Sequence, residues 1–329
     1  MGTIINKNDS MATIQSKLNR GGDITFTKGV YKITRQLVIS KNTNIDLNGA
    51  TLQRKASIQS IFINKANANS TLYNADGNIT IKNGTLEGMG GYSYDNLVTF
   101  FHSHDIIINK CIFKDILCHG IEFNSSSNCS VIDCDFTGYN LKDADNAYKE
   151  MIQIDFAGYS AFVLNGTSKT AKCYDGTHCT KINILNCKFD RSASRDYPYA
   201  CIGAHSQLYN CGNLKHTNIC IENNVFHCKI NSEIIQACIS ITNMENVIIR
   251  KNIFDCNRVA RIYSKNYSYA KAGSKKTAAE GDGICSNIQI IDNDILKCKK
   301  NSEAFQQYNK SSTTTDHKNI EKKNNRYNK

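Results

Sequence analysis

One nine-residue pattern recurs eight times along the chain, and few folds accommodate such a repeat. Each copy runs from a small polar residue through an alternating apolar strand to a small turn residue and then a large apolar one. The copies are Asn44–Leu52, Asn78–Leu86, Asp105–Phe113, Asn128–Phe136, Lys181–Phe189, Asn218–Phe226, Asn246–Phe254 and Asn287–Ile295. Successive copies start 23 to 53 residues apart. The short spacings suit one coil of a parallel β-solenoid, and the long ones imply loops inserted into a coil. The expected fold is all-β, a right-handed parallel β-helix.

Stacking the copies defines columns. The turn column reads Gly49, Gly84, Cys111, Cys134, Cys187, Asn224, Asn252 and Asn293. The apolar column reads Leu52, Leu86, Phe113, Phe136, Phe189, Phe226, Phe254 and Ile295. Equivalent side chains on adjacent coils lie ~4.8 Å apart, so like residues stack. Asparagines in the turn column are expected to hydrogen-bond above and below, phenylalanine rings to stack, and cysteines to fill a tight interior turn. This gives many of the 15 cysteines a packing role. Their odd number, the lack of a signal sequence and the lack of a Cys-x-x-Cys pair argue against a disulfide framework or a metal site.

A second strand follows each copy: Leu97–Phe100, Gly120–Asn124, Met151–Asp155, Cys201–His205, Cys238–Thr242 and Val259–Tyr263. Period-2 alternation turns Ile121/Phe123, Ile152/Ile154, Ile202/Ala204 and Ile239/Ile241 inward. The other face carries two polar rows, Glu122, Gln153, Gly203, Ser240, Arg261 and Asn124, Asp155, His205, Thr242.

Charge and hydropathy narrow the partners. No apolar run approaches the ~20 residues of a membrane span, and the N-terminus lacks a signal-peptide core. A phage virion, a cell surface or the cytoplasm is the expected location. Of the net +11, +6 falls in Lys297–Lys329. That polar basic stretch, 299–329, reads as a flexible tail after a single domain over 1–298. Tyr263, Tyr267 and Tyr269 lie among lysines, but 265–281 reads as a solvated loop and not a nucleic-acid surface.

The segment Ile14–Leu18, Gly21–Phe26 and Lys28–Ile33 resembles the opening of the pectate-lyase-like β-helix superfamily, which includes phage tail-spike depolymerases. The resemblance implies that Met11–Asn19 is a capping helix within an N-terminal cap over 1–34, and that the chain assembles as a homotrimer. Lys149–Asp155 is similar to a Glu-x-Ile-Gln-x-Asp segment of phage and bacterial β-helix proteins. The order Asp155, Gly203-Ala204-His205-Ser206, Arg261-Ile262-Tyr263 is faintly similar to polygalacturonases. Here there is no adjacent Asp-Asp pair and no Gly-His-Gly, and Tyr263 stands in place of a lysine. The resemblance therefore carries over Asp155, His205 and Arg261 and leaves the proton donor open.

Geometry and resemblance together give the candidate site. Glu122 lies one coil and two residues from Asp155, ~8 Å between Cβ atoms, within the ~6.5–9.5 Å of an inverting glycosidase. Asp155 and His205 are expected side by side. Glu150 is five residues before Asp155, ~16 Å along a straight strand, and joins the site only if the chain bends. Glu122 is preferred on geometry and Glu150 on resemblance. His119, Gln153, Tyr174, Asp175, Arg195 and Arg261 are candidate substrate ligands. Several of them come from the insertions 137–149, 156–179 and 190–199, which are expected to wall a groove. Asp143, Asp145 and Asp175 match no regular calcium spacing, and no cofactor is expected. The function expected first is hydrolysis of a polysaccharide. A uronate lyase or epimerase and a non-catalytic glycan adhesin stand as alternatives.

Overall fold

The computed structural model describes residues 2–88, 95–139, 150–159, 161–204, 214–229, 237–264, 284–309 and 317–327. These residues form a parallel β-helix. A 19-stranded and a nine-stranded sheet are joined coil by coil, and every pairing between their strands is parallel. The nine-stranded sheet, the second wall, stacks its strands in chain order from Leu37–Ile39 to Phe305–Asn309.

The apolar column stacks in the expected order, with Leu52 beside Leu86, then Phe113, Phe136, Phe189, Phe226, Phe254 and Ile295. From Phe113 to Phe254 the ring centroids are 4.8 Å apart and nearly parallel, the spacing that the strand separation imposes. The asparagine ladder is present. Asn224 Nδ2 donates to Asn252 Oδ1 at 3.0 Å, and Asn252 Nδ2 to Asn293 Oδ1 at 3.0 Å. One aliphatic and aromatic core runs from Ile5 to Phe305.

Each copy starts in the left-handed region. Asn42, Asn78, Asp105, Asn128, Lys181, Asn218, Asn246 and Asn287 have φ between 53° and 57°. Asparagine and aspartate adopt that conformation at lower cost than other side chains, which is why they open most copies. The first copy begins at Asn42 rather than Asn44, because Asn44 pairs with Thr80 and Thr51 with Thr85. Two extra residues sit in its turn, so Ala50 and not Gly49 lies beside Gly84. An added Cβ on Gly84 would meet the Ala50 carbonyl at 2.8 Å.

Both ends differ from expectation. Residues Gly22–Phe26 and Val30–Ile33 lie outside any separate cap, since they pair with Thr43–Asp46 and Thr51–Arg54 as a regular coil. A helix spans Met11–Leu18 and buries Ile14 and Leu18. The stretch 299–329, expected to be a flexible tail, contains the helix Asn301–Ala304 and the strands Phe305–Asn309, Lys318–Lys323 and Arg326–Tyr327. It supplies a ninth copy. Asn319 donates to Asn287 at 2.9 Å, Asn325 extends the ladder, and Tyr327 pairs with Ile295. Lys322 pairs with Ile290 at an inward position, which hid the strand alternation. As part of the last coil it is only half-buried, with Nζ 5.6 Å from the Phe305 ring centroid.

Candidate functional site

The outward rows of the second wall are aligned as their alternation requires. Thr99, Glu122, Gln153, Gly203, Ser240 and Arg261 are successive register partners. Asn124 pairs with Asp155 in the neighbouring row. Gln153 Nε2 donates to Asp155 Oδ1 at 2.9 Å, so both side chains lie on the outer face. His205, expected beside Asp155, lies outside the described residues, as do Asp143 and Asp145.

Glu150 reaches the Glu122–Gln153–Gly203 row. A Cβ added to Gly203 would fall 2.8 Å from its Cγ and Oε1, so its side chain occupies the space above that glycine. The chain therefore bends before the strand Ile152–Asp155. The bend is held by His119, whose Nδ1 lies 2.6 Å from the Glu150 carbonyl. Glu122 and Glu150 thus flank Asp155 from opposite coils. Asn96 and Thr99 donate to the Glu122 carboxylate, Thr99 at 3.4 Å. Behind them Arg54 donates to the Asn96 carbonyl at 2.5 Å and pairs with Asp95 at 3.3 Å. Burial lowers the Arg54 pKa against the pull of Asp95, and burial raises that of Asp95 against Arg54.

The wall is covered, not open. Relative exposure is 2% at Glu122, 4% at Glu150, 1% at Asp155 and 0% at Gln153. Insertion 156–179, expected to flank a groove, packs onto the wall instead. Ala157, Phe162, Leu164, Cys173 and Tyr174 form a second apolar cluster with Ile63 and Phe101. Residues 65–78 lock it down: Cys173 N donates to the Ala68 carbonyl at 3.1 Å, and Tyr73 Oη to the His178 carbonyl at 3.0 Å. His102, fully buried, sets its two ring nitrogens 2.6 Å and 2.7 Å from the carbonyls of Leu72 and Cys173.

Several candidate ligands have structural roles. Tyr174 is buried, and its hydroxyl accepts from the Leu164 amide at 3.0 Å. Asp175 joins the two loops by accepting from the Leu72 amide at 3.0 Å and the Thr177 amide at 2.9 Å. Arg195 sits in a turn closed by Ser192 and Asp115, with its amide 3.0 Å from Ser192 Oγ. Gln153 and Arg261 hold their expected places in the outer row, and His119 supports Glu150.

Sequence reasoning missed His216. It is fully buried, and Nδ1 accepts from the Cys179 amide at 3.0 Å, which leaves the ring proton on Nε2. Burial lowers its pKa to about 3, against the opposing pull of Asp155. Its signal was available: His216 and His317 each stand two residues before the left-handed Asn of their copies, in one column. Also unanticipated is a set of buried polar atoms without hydrogen-bond partners among the described residues. Both amide atoms of Asn124, Gln153 Oε1 and Ser240 Oγ are of this kind. They line the face that carries the carboxylates, and such atoms are costly unless water or a ligand meets them.

The chain shares its parallel β-helix fold with solved pectate-lyase-like, polygalacturonase and tail-spike structures. No family model and no curated protein matches the sequence. Among solved structures it is similar to the surface adhesin PfbA of Streptococcus pneumoniae, with TM-score 0.63 and 18% identity over 97% of this chain and 88% of that one. It is similar to an alginate lyase from a Paenibacillus, with TM-score 0.59 and 13% identity over 98% and 99%. An exopolygalacturonase from Thermotoga maritima gives TM-score 0.60 and 10% identity over 96% and 80%. At these identities the likeness establishes the fold alone. Among the described residues no helix is long and apolar enough to cross a membrane.

Proposed function

We propose that this chain hydrolyses a polysaccharide at the outer face of its second wall. The observation that carries the reading is the Glu150 side chain above Gly203. From there to Asp155 is one coil and two residues, ~8 Å by strand geometry, inside the ~6.5–9.5 Å window for two carboxyls that admit a water between them. Gln153 donates to Asp155, which suits an ionised base. Asn96 and Thr99 donate to Glu122, which suits a second ionised carboxylate. Glu150 is then the proton donor, positioned by His119, and Asp155 activates the water. Arg261, two coils beyond Gly203 in the same row, would meet an acidic sugar on this reading. The helix Met11–Leu18 closes the end of the solenoid on this reading, and homotrimeric, surface-borne assembly accompanies it.

The burial of all three carboxylates favours a second reading, a non-catalytic glycan adhesin. Its binding face would be the open groove of about 820 Å³ on the other sheet, lined by Asn218, Asn246, Asn287, Asn319, Gln289 and Lys322. A reducing-end assay on acidic and neutral bacterial polysaccharides separates the two. Hydrolysis is expected to fall at least a hundredfold in Asp155→Asn and Glu150→Gln. Glycan binding with no product, unchanged by either substitution, supports the adhesin.

A further inference from the structure

The described cysteines form no disulfides, and all but Cys220 are buried. Six of them show two different geometries. Cys111, Cys134 and Cys187 stack one per coil, so the outer two are two coils apart, ~10 Å at the strand spacing. One ion cannot bridge that span. Cys201, Cys228 and Cys238 instead form a triangle, with all three sulfurs within 4.8 Å of one another.

The triangle arises from two coils meeting. Cys201 and Cys238 precede equivalent residues of the second wall, and Cys201 N donates to the Cys238 carbonyl at 2.8 Å. Cys228 follows Phe226 of the apolar column by two residues, just after the strand Val225–His227. Its sulfur lies 3.1 Å from the carbonyls of Pro198 and Tyr199, next to the chain's only proline. Exposure is 0% at Cys201, 6% at Cys228 and 0% at Cys238. A fourth sulfur, that of Cys256, neighbours Cys238 outside the triangle.

We propose that Cys201, Cys228 and Cys238 bind one thiophilic d10 cation, zinc(II) or copper(I), which ties two successive coils together. Three thiolates around an ion at ~2.3 Å stand ~3.8–4.0 Å apart, so the triangle needs to contract by at most ~1 Å. Copper(I) is satisfied by three thiolates, whereas zinc(II) needs a fourth ligand. Burial pushes the Cys228 thiol up, but the thiols of Cys201 and Cys238 bring it down to about 6. Loading releases the thiol protons to solvent. An all-sulfur donor set favours thiophilic ions over the harder ions that require oxygen ligands.

The test uses the full chain, refolded under reducing, anaerobic conditions with zinc(II), copper(I) or cadmium(II), then desalted. The expected result is about one ion per chain by elemental analysis and, with cadmium, a thiolate-to-metal charge-transfer band. Cys228→Ser is expected to lower the retained metal at least tenfold, and Cys134→Ser in the linear column to leave it unchanged. Cys238→Ser serves where Cys228→Ser does not fold. Folded wild-type protein that retains no ion from any of the three would overturn the proposal. Equal retention in the Ser variants, or a disulfide within the triangle in peptide maps of unreduced protein, would overturn it too.

Discussion

Asn252 offers the sharpest test of the stacking energetics. Its Oδ1 accepts from the Asn224 amide at 2.9 Å and from Asn224 Nδ2 at 3.0 Å. Its Nδ2 donates to the Ile221 carbonyl at 3.0 Å and to Asn293 Oδ1 at 3.0 Å. All of these contacts are buried. Asn252→Ala removes them together, although Asn224 Nδ2 keeps the Ile184 carbonyl and Asn293 Oδ1 keeps the backbone amide of residue 252. At ~1 kcal/mol for each bond the loss is about 4 kcal/mol, and more where the stranded groups find no replacement. The position is not left-handed, so alanine adds no backbone strain. The comparison is Asn246→Gly, at an exposed, left-handed ladder position. Asn246 donates to Thr217 at 3.2 Å and accepts from Asn287 at 3.0 Å, both near water. There the expected loss is below ~1 kcal/mol. Urea titration followed by far-ultraviolet circular dichroism measures both. If Asn252→Ala costs less than ~1 kcal/mol, or no more than Asn246→Gly, the interior ladder does not stabilise the stack as argued.

Three further outcomes follow from the site and its cover. Gly203→Ala places a methyl 2.8 Å from the Glu150 carboxylate, in an ordinary extended strand. Because the flexible end of a side chain can yield, melting is expected to change little while glycan turnover falls at least tenfold; unchanged turnover would remove Glu150 from the reaction. His102→Asn keeps a residue tolerant of φ 52° but strands the Cys173 carbonyl, while the Leu72 carbonyl keeps Ser125 Oγ at 2.9 Å. It is expected to cost ~1–3 kcal/mol and to open 156–179 to limited proteolysis, and a protease pattern like wild type would contradict the lock. Acidification tests His216. Its folded pKa of about 3 lies below the unfolded 6.5, so the unfolded chain binds a proton that the fold refuses. Its stabilising effect is complete above pH ~6.5 and is lost as pH falls towards ~3, at up to ~1.4 kcal/mol per pH unit. Burial lowers the His178 pKa as well, in the same direction. His216→Gln is expected to flatten this acid slope in denaturation curves between pH 4 and 6.5, and an unchanged slope would place the protonation elsewhere.

The architecture was legible because a β-helix writes its geometry at a fixed spacing. Phe113, Phe136, Phe189, Phe226 and Phe254 occupy one column in the chain's text and one stack in space. The alternation that aligned Glu122 with Gln153 and Asn124 with Asp155 is equally local. What covers those residues is not. Phe162 and Tyr174 meet Phe101 through a loop with no period, and nothing in their spacing marks the contact. Glu150 looked too distant because a straight strand was assumed, whereas the His119 contact bends the chain. The ninth coil was hidden by Lys322, tolerated inward because no further coil follows it among the described residues. The thiol triangle joins residues of two successive coils outside their strands, so no sequence spacing announces it.

The most direct test of the central claim is a crystal structure of Asp155→Asn soaked with an oligosaccharide that the wild type cleaves. Sugar density is expected against the second wall, within hydrogen-bonding distance of Glu150 and Gln153. Density confined to the Asn246–Asn287–Asn319 groove of the other sheet, with the carboxylates still sealed, would contradict it.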